Sequence, residues 1–264
     1  MLVMQLIDAI ILGLTQGLTE FIPVSSSGHL ILVGHFLNFQ YSGLAFDTAL
    51  DVGTLVALYA FFAKDLWEIG RDFFMGGPKR RMGWYLILAT IPGVIVGILV
   101  QHAAETIFRD GRLVAINLIW VGIVMFLVDR YSWSKLDLSG VTLPRVMTVG
   151  LAQAIALVPG VSRSGITITA SRALGFDRVS ATRLSFLLSA PIITGATLKV
   201  LAEHTTITQI GAAPGLYAAG IVSAAVSGYA AIKFLLQYLS KHGLGLIAVY
   251  RVAVGVLILI VGLR

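Results

Sequence analysis

The tightest constraint on this chain is a pair of polar breaks set inside stretches too apolar to be soluble loops. The first runs from Gln16 to His29 as Gln-Gly-Leu-Thr-Glu-Phe-Ile-Pro-Val-Ser-Ser-Ser-Gly-His. It returns 137 residues later without a gap: Gly13-Leu14-x-Gln16 becomes Gly150-Leu151-x-Gln153, and Val24-Ser25-x-Ser27-Gly28 becomes Val161-Ser162-x-Ser164-Gly165. Ser26 aligns with Arg163. Proline removes a helical N–H and clashes with the preceding turn. Backbone freed in this way cannot face hydrocarbon, so each break has to be buried in protein or line a polar cavity.

Hydrocarbon is the expected surroundings because 57% of the 264 residues are hydrophobic and 12% charged, more apolar side chain than a soluble domain buries. The net charge of +6 sits between apolar spans, as in cytoplasmic loops, and is not read as a nucleic-acid footprint. With no cysteine, disulfides, thiolate nucleophiles and cysteine metal sites are excluded. Met1 to Leu12 lacks a basic n-region and carries Asp8, so it is expected to stay in the mature protein.

Taken in order, residues 3–22 read as a helix with Gln16 and Glu20 on one side and a Gly13/Gly17 strip suited to close helix contact. Pro23 ends it, and Ser25 is the expected N-cap of a short helix to about Phe36. Neither piece reaches the ~20 residues a crossing needs, so the two form a re-entrant pair. A polar turn from Asn38 to Gly43 precedes three full spans at about 45–63, 83–101 and 112–129. The plan repeats, with helix 141–158, a break at Val158-Pro-Gly160, a returning helix 162–174, and spans 182–201, 216–236 and 243–262. The fold class is thus an all-α polytopic membrane protein and a single integral membrane domain. Its first repeat covers 1–130 and its second 138–264, each a re-entrant helix pair plus three transmembrane helices. Three crossings per half is odd, which makes the repeat inverted. Five Lys/Arg in 64–82, three in 130–145 and three in 172–183, against none in 202–215 and two in 102–112, put the first three loops in the cytoplasm. The termini and the first break then face outward.

Polar groups inside spans are functional candidates because they are expensive there. Glu20 can hold a divalent cation or move a proton. Ser25, Ser26, Ser27 and Gly28 open a helix whose free N–H groups favour an anion. Ser26 and His29, three apart, share a helical face in nucleophile-and-base fashion. In the second copy Ser162, Arg163, Ser164 and Gly165 put a guanidinium at a helix N-terminus, where it opposes the dipole unless an anion is bound. The inverted halves bring the Ser26 and Arg163 loops together at mid-membrane. Asp47 and Asp51, four apart, are candidates to complete a metal or proton site, with helix-start acids as the plainer alternative. Arg251, eight residues into the last span, is the lone cation hardest to place at a surface. His35, His102, His204 and His242 show no metal-ligand spacing. Phe61-Phe62, Trp67, Trp84-Tyr85 and Trp133 read as interfacial belts.

These two motifs, Gln16-x-x-x-Glu20 with Pro23-Val-Ser-Ser-Ser-Gly-His29 and Pro159-Gly-Val-Ser-Arg-Ser-Gly165, resemble the signatures of the bacterial undecaprenyl-diphosphate phosphatase family linked to bacitracin resistance. The resemblance covers essentially the whole chain. It implies hydrolysis of a C55 isoprenoid diphosphate to the monophosphate carrier lipid and inorganic phosphate, recycling the carrier for cell-wall synthesis, with help from Mg²⁺ or Ca²⁺. It implies Glu20, Ser26, His29 and Arg163 as central, and Ser25, Ser27, Ser162 and Ser164 as phosphate contacts. Position 16 is Glu in some members; Gln16 here is an expected metal ligand or orienter. In the expected reaction Ser26 attacks with His29 as its base, while Glu20 and Gln16 bind the metal and Arg163 stabilises the transferred group; attack by water is the alternative. The expected partners are the isoprenoid diphosphate lipid, bilayer lipids and a second copy of the chain, with no nucleic acid. The expected setting is the bacterial inner membrane, the site opening to its periplasmic side. A polyprenyl-phosphate flippase is the competing reading, since broken helices in inverted repeats are also a transporter signature. Ser27-Gly28-His29 also resembles an element of the phosphatidic acid phosphatase superfamily, but the upstream Lys-x6-Arg-Pro is missing.

Overall fold

The computed structural model describes residues 6–36, 44–106, 110–133 and 135–262. The expected Asn38–Gly43 turn and Arg109 lie outside the described residues, as does the side chain of His102. Among the described residues the chain is helical throughout, with α1 (Leu6–Phe21), α2 (Ser26–Phe36), α3 (Leu44–Phe61), α4 (Ala63–Met75), α5 (Arg80–Thr106), α6 (Gly111–Tyr131), α7 (Leu143–Ile155), α8 (Arg163–Ala173), α9 (Arg178–Leu201), α10 (His204–Ala212), α11 (Pro214–Leu239) and α12 (Gly245–Val261). Four of these, α5, α6, α9 and α11, are long and apolar enough to cross a membrane, and α3 with α4 makes a fifth if the pair counts as one span. The chain is therefore a multi-pass membrane protein.

Six full crossings were expected, and two of the six differ. α3 stops at Phe61 and the chain bends 80° into α4, so the expected 45–63 span is an 18-residue helix followed by a turn. α12 has 17 residues and is shorter than a full apolar span. The supposed loop 64–82 is mostly helix. α4 carries five charged residues from Lys64 to Asp72, and its Trp67, Phe74 and Met75 stay exposed while Ile69 and Asp72 are buried. Such an amphipathic helix lies along an interface better than it crosses it. Gly76, at φ 84°, ends it by donating to the Asp72 carbonyl. The supposed loop 202–215 contains α10.

The strip of small residues does what its spacing implies. A Cβ on Gly13 would come within 2.5 Å of the Gly220 carbonyl oxygen, and one on Gly17 within 2.4 Å of that of Ala224, so α1 and α11 touch backbone to backbone. The same closeness joins α7 to α5, where a Cβ on Gly150 would meet the Ala89 carbonyl oxygen at 2.2 Å.

Two assignments made from residue type are corrected. Phe62 is buried rather than interfacial, packing edge-on to Phe186, which in turn meets Phe21. Arg172, counted as a loop cation, is fully buried: Nε donates to Asp129 Oδ1 at 3.0 Å and Nη1 to the Phe176 carbonyl at 2.7 Å. Asp129 also accepts from Arg178 Nε at 2.9 Å and the Leu244 N–H at 2.9 Å, tying α6, α8, α9 and the start of α12 together. A charge at a helix end looks solvated in sequence, and only its neighbours reveal that it is enclosed.

Candidate functional site

The two breaks have the same local form. Ser25 and Ser162 both hold positive φ, 75° and 69°, a strained conformation for a residue with a Cβ. Each then starts an 11-residue helix. The Ser162 hydroxyl accepts from the Gly165 N–H at 3.1 Å, and the Ser25 hydroxyl from the Gly28 N–H at 3.5 Å. Within each turn the outer hydroxyls pair, Ser25 with Ser27 at 3.1 Å and Ser162 with Ser164 at 3.3 Å. Strain of this kind persists where the surroundings fix it, and here the surroundings are the other break.

Three contacts join the breaks: Arg163 Nη2 donates to Glu20 Oε1 at 2.9 Å, the Ser164 hydroxyl to the Glu20 carbonyl at 3.1 Å, and the Gly160 N–H to the Ser27 hydroxyl at 3.3 Å. Between them lies a cavity of about 140 Å³ lined by Glu20, Ser25, Ser26, Ser27, Ser162 and Arg163, with Thr19, Ala156, Val158, Pro159 and Gly160 completing the wall. At roughly 30 Å³ per water it has room for a few waters or a phosphoryl group.

Glu20 is the hub of the polar set. Its Oε2 accepts from the Ser26 hydroxyl at 2.7 Å and from Gln16 Nε2 at 3.2 Å, while Oε1 faces Arg163. Gln16 Nε2 also donates to Asp51 Oδ1 at 2.9 Å, so a single amide holds two carboxylates. Asp47, the other acid considered with Asp51, sits one turn earlier in the first turn of α3. Arg163 leaves Nε and Nη1 buried and without a partner. Orphaned guanidinium donors in a cavity wall are costly, and an anion would satisfy them.

The expected pairing of Ser26 with His29 is not what forms. His29 is buried, with Nδ1 2.8 Å from the Ser25 carbonyl and Nε2 2.8 Å from the Tyr250 hydroxyl. A carbonyl only accepts, so Nδ1 carries the hydrogen and a neutral ring takes the Tyr250 hydroxyl as donor. The ring stacks on Tyr250 at 5.6 Å and does not line the cavity. The helix spacing was right, but Ser26 begins the helix and its hydroxyl turns back to Glu20. His29 instead braces the strained Ser25 turn.

Arg251, noticed in the sequence but given no role, proves central to the scaffold. Fully buried, it donates from Nη1 to the Pro23 carbonyl at 2.8 Å and from Nη2 to the Gly160 and Val161 carbonyls at 3.0 and 2.9 Å. The carbonyls freed by both breaks are thus satisfied by one guanidinium. No carboxylate among the described residues forms an ion pair with it, so its charge adds to that of Arg163. Asn117 of α6 adds a second brace, donating to the Pro159 carbonyl at 2.8 Å. It was missed, although a lone Asn within an apolar span is the kind of signal that marks such a role. Tyr250 had no sequence signal beyond its place beside Arg251.

The family model described as Bacitracin resistance protein BacA matches residues 9–257. Among curated relatives, proteins named undecaprenyl-diphosphatase are similar over nearly the full length of both chains. That of Moorella thermoacetica is 44% identical over 261 residues, covering 98% of each chain. That of Pelotomaculum thermopropionicum is 42% identical over 259 residues, 97% of each. That of Gemmatimonas aurantiaca is 45% identical over 258 residues, 95% of this chain and 96% of the relative.

Proposed function

The chain belongs to the BacA family of bacitracin resistance proteins, and from that premise we propose that it dephosphorylates undecaprenyl diphosphate, releasing inorganic phosphate and returning the monophosphate carrier lipid to cell-wall synthesis. The observation that carries the reading to this chain's own residues is Arg163, which lines the cavity together with Ser26 and Glu20 and whose Nε and Nη1 are buried without a partner. Arginine binds phosphate through paired donors.

In the proposed reaction Ser26 Oγ attacks the terminal phosphorus, and the bond to the bridging oxygen breaks, leaving undecaprenyl phosphate. The Ser26 proton passes to Glu20, which already accepts its hydrogen bond at 2.7 Å. Arg163 stabilises charge on the transferred group. Water then cleaves the phosphoserine with Glu20 assisting, and inorganic phosphate leaves. Ser25, Ser27, Ser162 and Ser164, with the N–H groups of Gly28 and Gly165, form the surrounding donor set. His29 positions the Ser25 turn.

The donor chemistry suits a divalent cation such as Mg²⁺ or Ca²⁺. Two carboxylates, Glu20 and Asp51, meet at the Gln16 amide, and hard cations favour oxygen ligands. No three His, Cys, Asp or Glu side chains converge as a metal site among the described residues. One or two carboxylates completed by substrate phosphates is the usual Mg²⁺ pattern. Glu20 and Asp51 would hold the ion, with the Gln16 oxygen available and Asp47 a turn away; bound there, it supplies charge neutralisation between the acids and the diphosphate.

The two halves are read as an inverted repeat, 1–130 against 138–264, each with a re-entrant pair. The support is the pairing across halves, α1 on α11 and α5 on α7, and the joining of the breaks inside the protein. The loop-charge asymmetry supports an inner-membrane setting with the site opening to the periplasmic side.

Phosphate release by the purified chain in detergent, where no second leaflet exists, tests the activity. An acid-stable phosphate trapped on Ser26 is the expected intermediate. Full activity in Ser26→Ala would move the nucleophile to water.

A further inference from the structure

We propose that a second cavity, between the end of α6, the first turn of α9 and the α11–α12 connection, binds the phosphate headgroup of an anionic membrane phospholipid. It measures about 350 Å³, and its lining includes Phe126, Asp129, Arg130, Arg178, Gly243 and Leu246. It is separate from the site between the breaks. Along α6, Asn117 touches the second break and Arg130 lies thirteen residues further on, about 20 Å at 1.5 Å per residue.

The charges in this corner do not balance. Asp129 is already engaged by Arg172, Arg178 and the Leu244 N–H. Asp177 is engaged as the N-cap of α9, accepting from the Ser180 N–H at 2.9 Å and its hydroxyl at 2.7 Å. Against these two acids stand Arg130, Arg172, Arg178 and, beside His242, Lys241. Arg130 and Lys241 are exposed and make no ion pair among the described residues. The floor is shaped to keep the Arg178–Asp129 pair at the surface of the cavity. A Cβ on Gly243 would fall 2.8 Å from Asp129 Oδ2 and 3.2 Å from Arg178 Nη2, so the connection can rest on the pair only as glycine.

The other wall is apolar. Phe126 is 44% exposed and Leu246 70%, both on helices whose outer faces are hydrophobic. A cavity with excess positive charge on one side and lipid-facing hydrocarbon on the other fits a headgroup with its acyl chains attached. A free phosphate would use only the basic side.

The test is lipid retention. The full chain in detergent is mixed with equal dioleoyl-phosphatidylglycerol and dioleoyl-phosphatidylcholine, passed through gel filtration, and its retained lipid quantified by mass spectrometry. The wild type is expected to retain phosphatidylglycerol about 25-fold over phosphatidylcholine, about fivefold for each of Arg130 and Lys241. Arg130→Gln should reduce that preference about fivefold, the scale for one cation at a membrane surface. Arg130→Gln with Lys241→Gln should abolish it, and Arg130→Lys should keep it, all with an unchanged elution profile. Leu246→Gln should weaken retention with the charges intact. Equal retention of both lipids by the wild type, or undiminished preference in the folded double variant, overturns the site. Displacement of the phosphatidylglycerol by inorganic phosphate as readily as by a short-chain phosphatidylglycerol overturns the lipid assignment.

Discussion

At the first break Ser25 holds φ at 75° and at the second Ser162 holds it at 69°, each followed by a helix of 11 residues and a pair of facing hydroxyls. Against that shared backbone, the side chains diverge at a few aligned positions. Glu20 faces Leu157 in the alignment, Ser26 faces Arg163, and His29 faces Ile166. Gln16 donates to two carboxylates, whereas Gln153, equally buried, leaves both amide atoms without a partner. The difference teaches how a duplicated scaffold divides its work: both copies keep the turn, one keeps the acid and the hydroxyl, and the other supplies the cation that meets them.

The comparison can be broken first at Glu20. Glu20→Gln keeps the size of the side chain and an oxygen that accepts from Ser26, but removes the carboxylate that can take the serine proton and neutralise Arg163. Phosphate release should fall about 10³-fold, and a loss below tenfold would mean that the acid is not what separates the two breaks. Arg251→Met should unfold the shared scaffold rather than one half. Three break carbonyls lose their donor together, at a cost of about 3 kcal/mol or more, visible as a lower thermal midpoint and as lost activity. Arg163→Lys keeps the charge but not the paired donors, so phosphate release should drop about 10²-fold with stability little changed.

Two smaller effects sharpen the point. Ser162→Ala should cost about 1 kcal/mol through the lost cap, while Ser162→Gly costs only a few tenths because glycine accepts the positive φ; equal effects in thermal unfolding would show that the turn is not strained. Gln153→Met should be neutral or stabilising by up to about 1 kcal/mol, since an orphaned amide is removed. Gln16→Met should instead cost activity, because two acids lose the donor between them. If the pair of glutamines responded alike, the division of labour would fail.

Much of the lining of the candidate cavity was legible because its residues are local. The acid, serines and arginine could be named from two motifs, and the offset between them told that Ser26 and Arg163 occupy one structural position. The role of His29 was not legible. Helical spacing places it on the Ser26 face, but the serine hydroxyl is captured by Glu20 and the ring by Tyr250, 221 residues away. Asp47 and Asp51 are equivalent by spacing, yet only the packing of α3 against α1 brings Asp51 to the Gln16 amide. The bend after Phe61 was hidden for a related reason: apolar length suggests a crossing and carries no signal for the 80° turn into α4.

Sequence alone was enough for the membrane setting, the long apolar helices α5, α6, α9 and α11 to within a few residues, the two breaks and the candidate residue types, because hydrophobic length, proline and hydroxyl clusters act over a few turns of one chain. The tertiary structure alone decided which partner each polar group takes. Arg251 joins Pro23 to Gly160 and Val161, and Arg163 crosses to Glu20, through contacts between residues 90 to 228 positions apart. A buried donor satisfies whichever acceptor the packing brings within about 3 Å, and no local pattern encodes that choice.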